Sequence, residues 1–198
     1  MKKLLIYIWL GVLLSGVALI LWYNQYKYSL PTPVPSNYKP VKSGIIIKLG
    51  NDLDFANQKP VLLHFFNPDC PCSRFNMQHV KDLISRYGNQ VNFAVVLMTD
   101  KYYTPQQVKD KYDLKVPVVV NPALAYACGV YSTPQAVILQ ADHQLYYRGN
   151  YNSSRYCTNP QTEYARLALT SLLQHKQKVF FNAYATTAYG CSLPDNVQ

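Results

Sequence analysis

Apolar and polar positions change rhythm several times along this chain, and each rhythm predicts an element. Leu4 to Tyr23 (LLIYIWLGVLLSGVALILWY) is an uncharged run of 20 residues. As a helix rising about 1.5 Å per residue it spans roughly 30 Å, one bilayer core. Residues 24–43 follow, with Pro31, Pro33, Pro35 and Pro40 among polar positions. That composition predicts a stiff, extended tether. Gly44–Lys48 carries three isoleucines and reads as a short strand. Val61–Phe66 is a nearly continuous apolar run, the pattern of a strand buried on both faces. Asn67-Pro68-Asp69 breaks it. From Ser73 to Tyr87 the apolar positions Phe75, Met77, Val80, Leu83, Ile84 and Tyr87 recur at helical spacing.

The second half alternates in the same way. Val91–Met98 is another buried strand, and Pro105–Tyr112 a short polar helix with proline in its first turn. Val116–Val120 predicts a brief strand and Ala123–Val130 a short helix. Gln135–Gln140 and Leu145–Tyr151 flank a turn at Ala141–Gln144 and read as a hairpin. Gln161–Gln174 is a helix with Tyr164, Leu167, Ala168, Ser171 and Leu172 along one side. Strand, helix, strand, helix, hairpin, helix is an α/β order: parallel first strands, right-handed crossovers and an antiparallel closing pair. The expected organisation is an anchor at 1–23, a tether at 24–43 and one domain at 44–198.

The ends of the apolar run bear on the compartment. It closes in Leu-Trp-Tyr-Asn-Gln-Tyr, a poor signal-peptidase site, so an uncleaved anchor is expected rather than a signal peptide. Lys2 and Lys3 favour an inside N-terminus, weakly opposed by Lys27, Lys39 and Lys42. The domain then faces the periplasm of a bacterial inner membrane, where disulfides persist. The net charge of +9 changes little. Two of its lysines belong to the anchor, and the basic cluster Lys109, Lys111 and Lys115 is interrupted by Asp110 and Asp113. Nucleic-acid binding needs a clustered footprint and is not expected.

Five cysteines are an odd number, so at least one thiol stays outside intramolecular pairing. Cys70 falls directly between a buried strand and a helix. There the unpaired N–H groups and positive dipole end of the helix stabilise a thiolate, the reactive form. Arg74 in the first turn would support it; Asp69 would oppose it. Cys72, beyond Pro71, is close enough in sequence for a small, strained and therefore labile disulfide. The pair reads as nucleophile and resolving thiol. Two other readings stand beside it: a copper(I) site made of Cys70 and Cys72 with His79, and a binding domain without catalysis.

The segment Phe65-Phe-Asn-Pro-Asp-Cys-Pro-Cys-Ser-Arg74 resembles the active-site segment of membrane-tethered thioredoxin-like proteins. Gly129-Val-Tyr-Ser-Thr-Pro-Gln-Ala-Val-Ile-Leu139 resembles the segment around that fold's cis-proline. The resemblance covers residues 44–175 and implies a thioredoxin-like fold, with Thr133-Pro134 cis and facing the cysteines. It also implies Cys70 as the nucleophile and protein thiols or disulfides as substrates. The usual motif has two residues between its cysteines; here there is one, so Cys72 must resolve if any local thiol does. Asn67 and Leu63 replace the threonine and proline of a typical peroxiredoxin. A cis X-Pro beside the thiols would offer an unpaired backbone edge to an extended substrate, so Thr133 and Pro134 are the expected substrate-binding residues. Thiol exchange calls for no cofactor, and the redox partner is not identified.

The remaining cysteines have separate expectations. Cys128 is expected to be buried and inert. Cys157 and Cys191 both lie in polar, loop-like segments, and a structural Cys157–Cys191 disulfide would fix the tail to the domain. The rival pairing brings Cys191 to Cys70 as a distal resolving thiol. His64 is expected to be a satisfied core histidine, with a proton relay as its rival role. His143 is expected in a solvated turn. Tyr146, Tyr147, Tyr151 and Tyr156 are expected to pack on the hairpin or to rim the substrate site.

Overall fold

The computed structural model describes residues 2–55, 57–174 and 179–194 of the chain. Two compact units divide at Pro31 and Thr32. The first is one helix, α1 (Lys2–Ser29), with no buried residue. It is long and apolar enough to cross a membrane. It runs six residues past the expected end of the anchor, and Trp22 stacks on Tyr26 within that extension at 5.6 Å.

The second unit is a layered α/β domain. Its elements are β1 (Val61–Phe66), α2 (Pro71–Tyr87), β2 (Asn92–Leu97), α3 (Pro105–Tyr112), β3 (Val118–Val119) and α4 (Pro122–Cys128). They continue as β4 (Ser132–Thr133), β5 (Gln135–Leu139), β6 (Leu145–Gly149), α5 (Tyr164–Leu173), α6 (Ala183–Thr186) and β7 (Cys191–Ser192). The five-stranded sheet has the order β3-β2-β1-β5-β6. β1 pairs parallel to β2 and antiparallel to β5, which fixes β1 at the centre. β4 and β7 form a separate two-stranded antiparallel ladder.

Central strands need apolar residues on both faces, and these supply them. Leu63, Phe65, Val96 and Val137 pack on one face against Leu124, Ala125 and Cys128 of α4. Leu62, Phe93 and Ile138 pack on the other against Val80 and Leu83 of α2 and Ala165, Ala168 and Leu169 of α5. Side chains of this size contribute about 1.5–3 kcal/mol each when fully buried. Gly44–Lys48 is not a full strand: it contributes one isolated bridge, Ile46 to Gln144, flanked by backbone hydrogen bonds from Gly44 to Leu145, Leu145 to Ile45 and Ile47 to His143.

The proline-rich segment does not run free as a spacer. Its residues from Thr32 onward belong to the domain. The Thr32 N–H donates to the Ala188 carbonyl at 2.8 Å, and the Tyr38 hydroxyl to the Gly129 carbonyl at 3.0 Å. Arg148 Nη1 donates to the carbonyls of Val41 and Cys128, both at 3.0 Å. Proline removes N–H donors but leaves carbonyls and neighbouring side chains able to bind. Gly129 makes this crossing possible. It caps α4 at φ 67°, and a Cβ there would stand 2.5 Å from Arg148 Nη1.

The C-terminal segment is held with equal care. Asn150, which follows β6 and is buried, donates through Nδ2 to the carbonyls of Tyr184 (2.7 Å) and Thr187 (2.6 Å). Its own N–H reaches the Ala185 carbonyl at 2.8 Å. The Tyr147 hydroxyl lies within reach of the Asn150 and Ala185 carbonyls. This clamp sets the course of the chain into β7.

Candidate active site

β1 ends at Phe66, and Asn67 makes the turn: its side chain accepts the Asp69 N–H at 2.9 Å and its carbonyl the Cys70 N–H at 3.1 Å. Cys70 is the N-cap of α2 with extended backbone, and Pro71 is the first helical residue. The Cys70 side chain makes no capping hydrogen bond. Cys70 thus stands at the positive, N-terminal end of the helix dipole. It is 2% exposed.

Cys70 is disulfide-bonded to Cys191, with Cα atoms 6.1 Å apart and a sequence separation of 121. The expected Cys157–Cys191 pairing is therefore replaced by the distal one. Cys157 is a free thiol at φ 55°, donating to Asn76 Oδ1 at 2.8 Å. That bond turns its sulfur toward α2 rather than toward the tail. Cys191 sits on β7, and β7 pairs with β4, so the partner of Thr133 in the ladder is Cys191 itself. Thr133-Pro134 is cis. The Thr133 carbonyl lies 3.5 Å from Cys70 Sγ. In the disulfide this is a contact only; the reduced thiol has a proton to donate there.

Cys72 is also free, 3% exposed, in the first turn of α2. Burial raises its thiol above the ordinary value, and the Arg155 guanidinium offsets only part of that rise. Arg155 comes from the loop after β6, and nothing in the sequence spacing marked it. Arg74, expected to support the thiolate, is exposed, and its guanidinium lowers the Tyr112 hydroxyl of α3, though burial outweighs it there. Asp69 does not oppose the site freely. Burial would raise its carboxyl, but hydrogen bonds from Lys101 (3.0 Å), Tyr103 (3.2 Å) and Thr99 (3.5 Å) outweigh that and hold it below the usual range.

The three groups of the copper reading do not converge. Cys70 is consumed in the disulfide, and His79 packs on Tyr151 and lines a separate cavity of about 240 Å³ with Asp82, Arg86, Glu163 and Arg166. Among the described residues no three His, Cys, Asp or Glu side chains form a metal-binding group. Burial pushes Cys128 up to about 12. His64, beneath α2, is buried and half satisfied. Its Nδ1 meets the Tyr151 hydroxyl at 2.9 Å, while Nε2 has no hydrogen-bond partner. Burial, then the nearby His79, lower its pKa to about 3, so the ring is neutral. Burial pushes the Tyr151 hydroxyl well above its usual value, so a neutral phenol and a neutral imidazole share this hydrogen bond.

A central parallel pair, a reversed β5, a cysteine at the first strand-to-helix turn and a cis-proline just before β5 define a thioredoxin-like fold. Within that class the chain belongs to the family described as a domain of unknown function (DUF6436), which matches residues 44–193. No functionally curated protein matches the sequence. Among solved structures, the domain is similar to an uncharacterised conserved protein from Geobacillus kaustophilus, at 23% identity and a TM-score of 0.63. That match covers 83% of this chain and 97% of the other. A hypothetical protein from Sinorhizobium meliloti 1021 matches at 15% identity and a TM-score of 0.61, covering 79% and 96%. At such identities the likeness is one of fold. A fainter match, at 18% identity and a TM-score of 0.44, is a secreted Mycobacterium tuberculosis disulfide oxidoreductase described as homologous to DsbE of E. coli. It covers 60% of this chain and 83% of the other.

Proposed function

We propose that this protein is a membrane-anchored thiol–disulfide oxidoreductase working on the periplasmic face of a bacterial inner membrane. The observation that carries the reading is the Cys70–Cys191 disulfide at the N-terminus of α2, against the cis Thr133-Pro134 backbone. The apolar α1, with Lys2 and Lys3 at its N-terminal end, supports an anchor with the domain outside, and the disulfide suits an oxidising compartment.

The reduced Cys70 thiolate, stabilised by the helix N-terminus, attacks one sulfur of a substrate disulfide and expels the other as a thiolate. Cys191 then attacks Cys70 Sγ, releases the second substrate thiolate and forms the Cys70–Cys191 bond. The substrate gains two electrons and two protons, and the protein thiols lose them. Run in reverse, the same steps oxidise a dithiol: a substrate thiolate attacks Cys70 Sγ and expels Cys191 as a thiolate, and a second substrate thiolate then attacks the substrate sulfur of the mixed disulfide and releases Cys70 as the stabilised leaving group. Cys72 provides a local exchange: its thiolate attacks Cys70 Sγ, moves the disulfide to Cys70–Cys72 and frees Cys191.

The test uses the full chain in detergent with a disulfide-bearing peptide. Cys70→Ser is expected to abolish exchange, and Cys191→Ser to prolong the Cys70–peptide mixed disulfide seen by intact mass. Undiminished exchange in Cys70→Ser would end the proposal.

A further inference from the structure

The tail strand lies where an extended substrate would lie. β7 pairs in register with β4, Ser192 opposite Ser132 and Cys191 opposite Thr133. The ladder extends one step further, the Leu193 N–H reaching the Tyr131 carbonyl at 3.4 Å. Ser132 Oγ donates to the Cys191 carbonyl at 3.1 Å, and Thr32 Oγ1 reaches both Ser132 Oγ (2.8 Å) and the Gly190 carbonyl (3.3 Å). These bonds hold backbone, so they do not by themselves choose among peptides.

Two side-chain positions do choose. Gly190 lies so close to the cis-proline loop that a Cβ would stand 2.2 Å from the Thr133 carbonyl oxygen, 2.9 Å from its carbon and 3.1 Å from Ser132 Oγ. The first two are backbone atoms of a buried strand and do not yield. Two residues past the cysteine, Leu193 is 5% exposed and packs with Val130, Cys128 and Leu124. It also borders a cavity of about 430 Å³ lined by Pro35, Tyr38, Tyr126 and Tyr131.

Resting on the exchange reaction above, we infer that the tail is a built-in copy of the substrate. The site then takes extended protein segments whose reacting cysteine is preceded by glycine and followed, two residues on, by an aliphatic side chain. The backbone edge of Ser132 and Thr133 fixes register, the crowded Thr133 carbonyl admits only glycine at the first position, and the Val130–Cys128 face receives the aliphatic group. A substrate must displace β7 to bind, so the tail and the substrate compete for one edge.

The experiment uses the full-length Cys191→Ser chain, reduced, in detergent. The probes are hexapeptides Tyr-Gly-Cys-Ser-Leu-Pro, each with its cysteine activated as the thionitrobenzoate disulfide. Cys70 attacks the peptide sulfur, a Cys70–peptide disulfide forms and thionitrobenzoate leaves as a coloured thiolate. Its release reads the first step alone, and peptide mapping of the adduct assigns the sulfur. Each rate is divided by that of the same peptide with N-acetylcysteine. Alanine in place of the glycine is expected to slow the reaction about tenfold, as forcing carbon against packed atoms does. Aspartate in place of the leucine is expected to slow it comparably. In the chain itself, Gly190→Val is expected to unseat β7 and to speed reaction with the glycine peptide. Equal normalised rates for all three peptides, with the adduct on Cys70, would overturn the substrate assignment and leave the exchange reaction standing. No adduct on Cys70 with any peptide would overturn the exchange reaction and the assignment with it.

Discussion

Acidifying the protein from pH 7 to pH 4.5 should cost it about 2.7 kcal/mol of stability through His64 alone. The folded His64 has a pKa near 3, set by burial and then by His79, against 6.5 for the model imidazole. At pH 4.5 the unfolded ring is protonated and the folded one is not. The unfolded state thus binds the extra proton, and folding stability falls as pH falls. Two pH units below 6.5, at about 1.36 kcal/mol per unit, give the figure. The loss continues until the folded pKa near 3 is reached. His79, also lowered by burial, adds in the same direction. Asp69 and Asp113 are held below the usual carboxylate range and lose their contribution only at lower pH, so the window from 6.5 to 4.5 belongs to the histidines. Tryptophan fluorescence would miss the transition, because Trp9 and Trp22 both lie in α1. Urea midpoints followed by near-ultraviolet circular dichroism of the tyrosines give the stability at each pH. His64→Leu is expected to be less stable at pH 7, since the buried Tyr151 hydroxyl loses its hydrogen-bond partner, yet to show a shallower slope on acidification. If the variant fails to fold, the wild-type His64 ring resonances serve, and they should not move between pH 7 and 4.5. A wild-type slope near zero, or a His64 ring that titrates near 6, would refute the reasoning.

Two further outcomes follow from the packing. Arg148→Met keeps the stem but removes the donor shared by the Val41 and Cys128 carbonyls. It should destabilise the domain by about 2–4 kcal/mol and open residues 32–43 to limited proteolysis; an unchanged melting temperature and digest would contradict it. Cys157 is partly exposed, yet burial, with Glu163 adding, pushes its thiol up to about 12. At pH 8 about one molecule in ten thousand then carries the thiolate, so iodoacetamide should modify it slowly until the protein is unfolded, and labelling at the rate of a free thiol would refute this.

Much of the fold was legible because its strands are buried on both faces. Val61–Phe66 and Val91–Met98 were read as strands from continuous apolar runs, and β1 and β2 lie within one residue of those bounds. The helix after Cys70 and the hairpin of β5 and β6 were read in the same way, from period and turn. What failed to show was contact between segments far apart in sequence that carry no periodic pattern. Gly44–Lys48 has the composition of a strand and does lie along the hairpin edge, but only for a few backbone hydrogen bonds around the Ile46 bridge. The prolines at 31–40 signalled stiffness truthfully but said nothing of carbonyls bound by Arg148 and hydroxyls bound by Gly129. β7 is two residues long, and its partner lies far back in the chain; no local periodicity encodes that. Hence the fate of Cys191 was open between two pairings. The polar setting of Cys157 suggested a staple, while Asn76 on α2 had already claimed its sulfur.

The Asn150 clamp has a kinetic consequence. It holds the Thr187 carbonyl, and only Ala188, Tyr189 and Gly190 separate that fixed point from Cys191. A leash so short keeps the Cys191 thiol near Cys70 at an effective concentration of millimolar or above. Small thiols in solution must match that figure before they divert an intermediate. In the exchange reaction proposed above, adducts on Cys70 would then be cleared from within the molecule, with a lifetime set by the protein's own geometry rather than by the redox buffer around it.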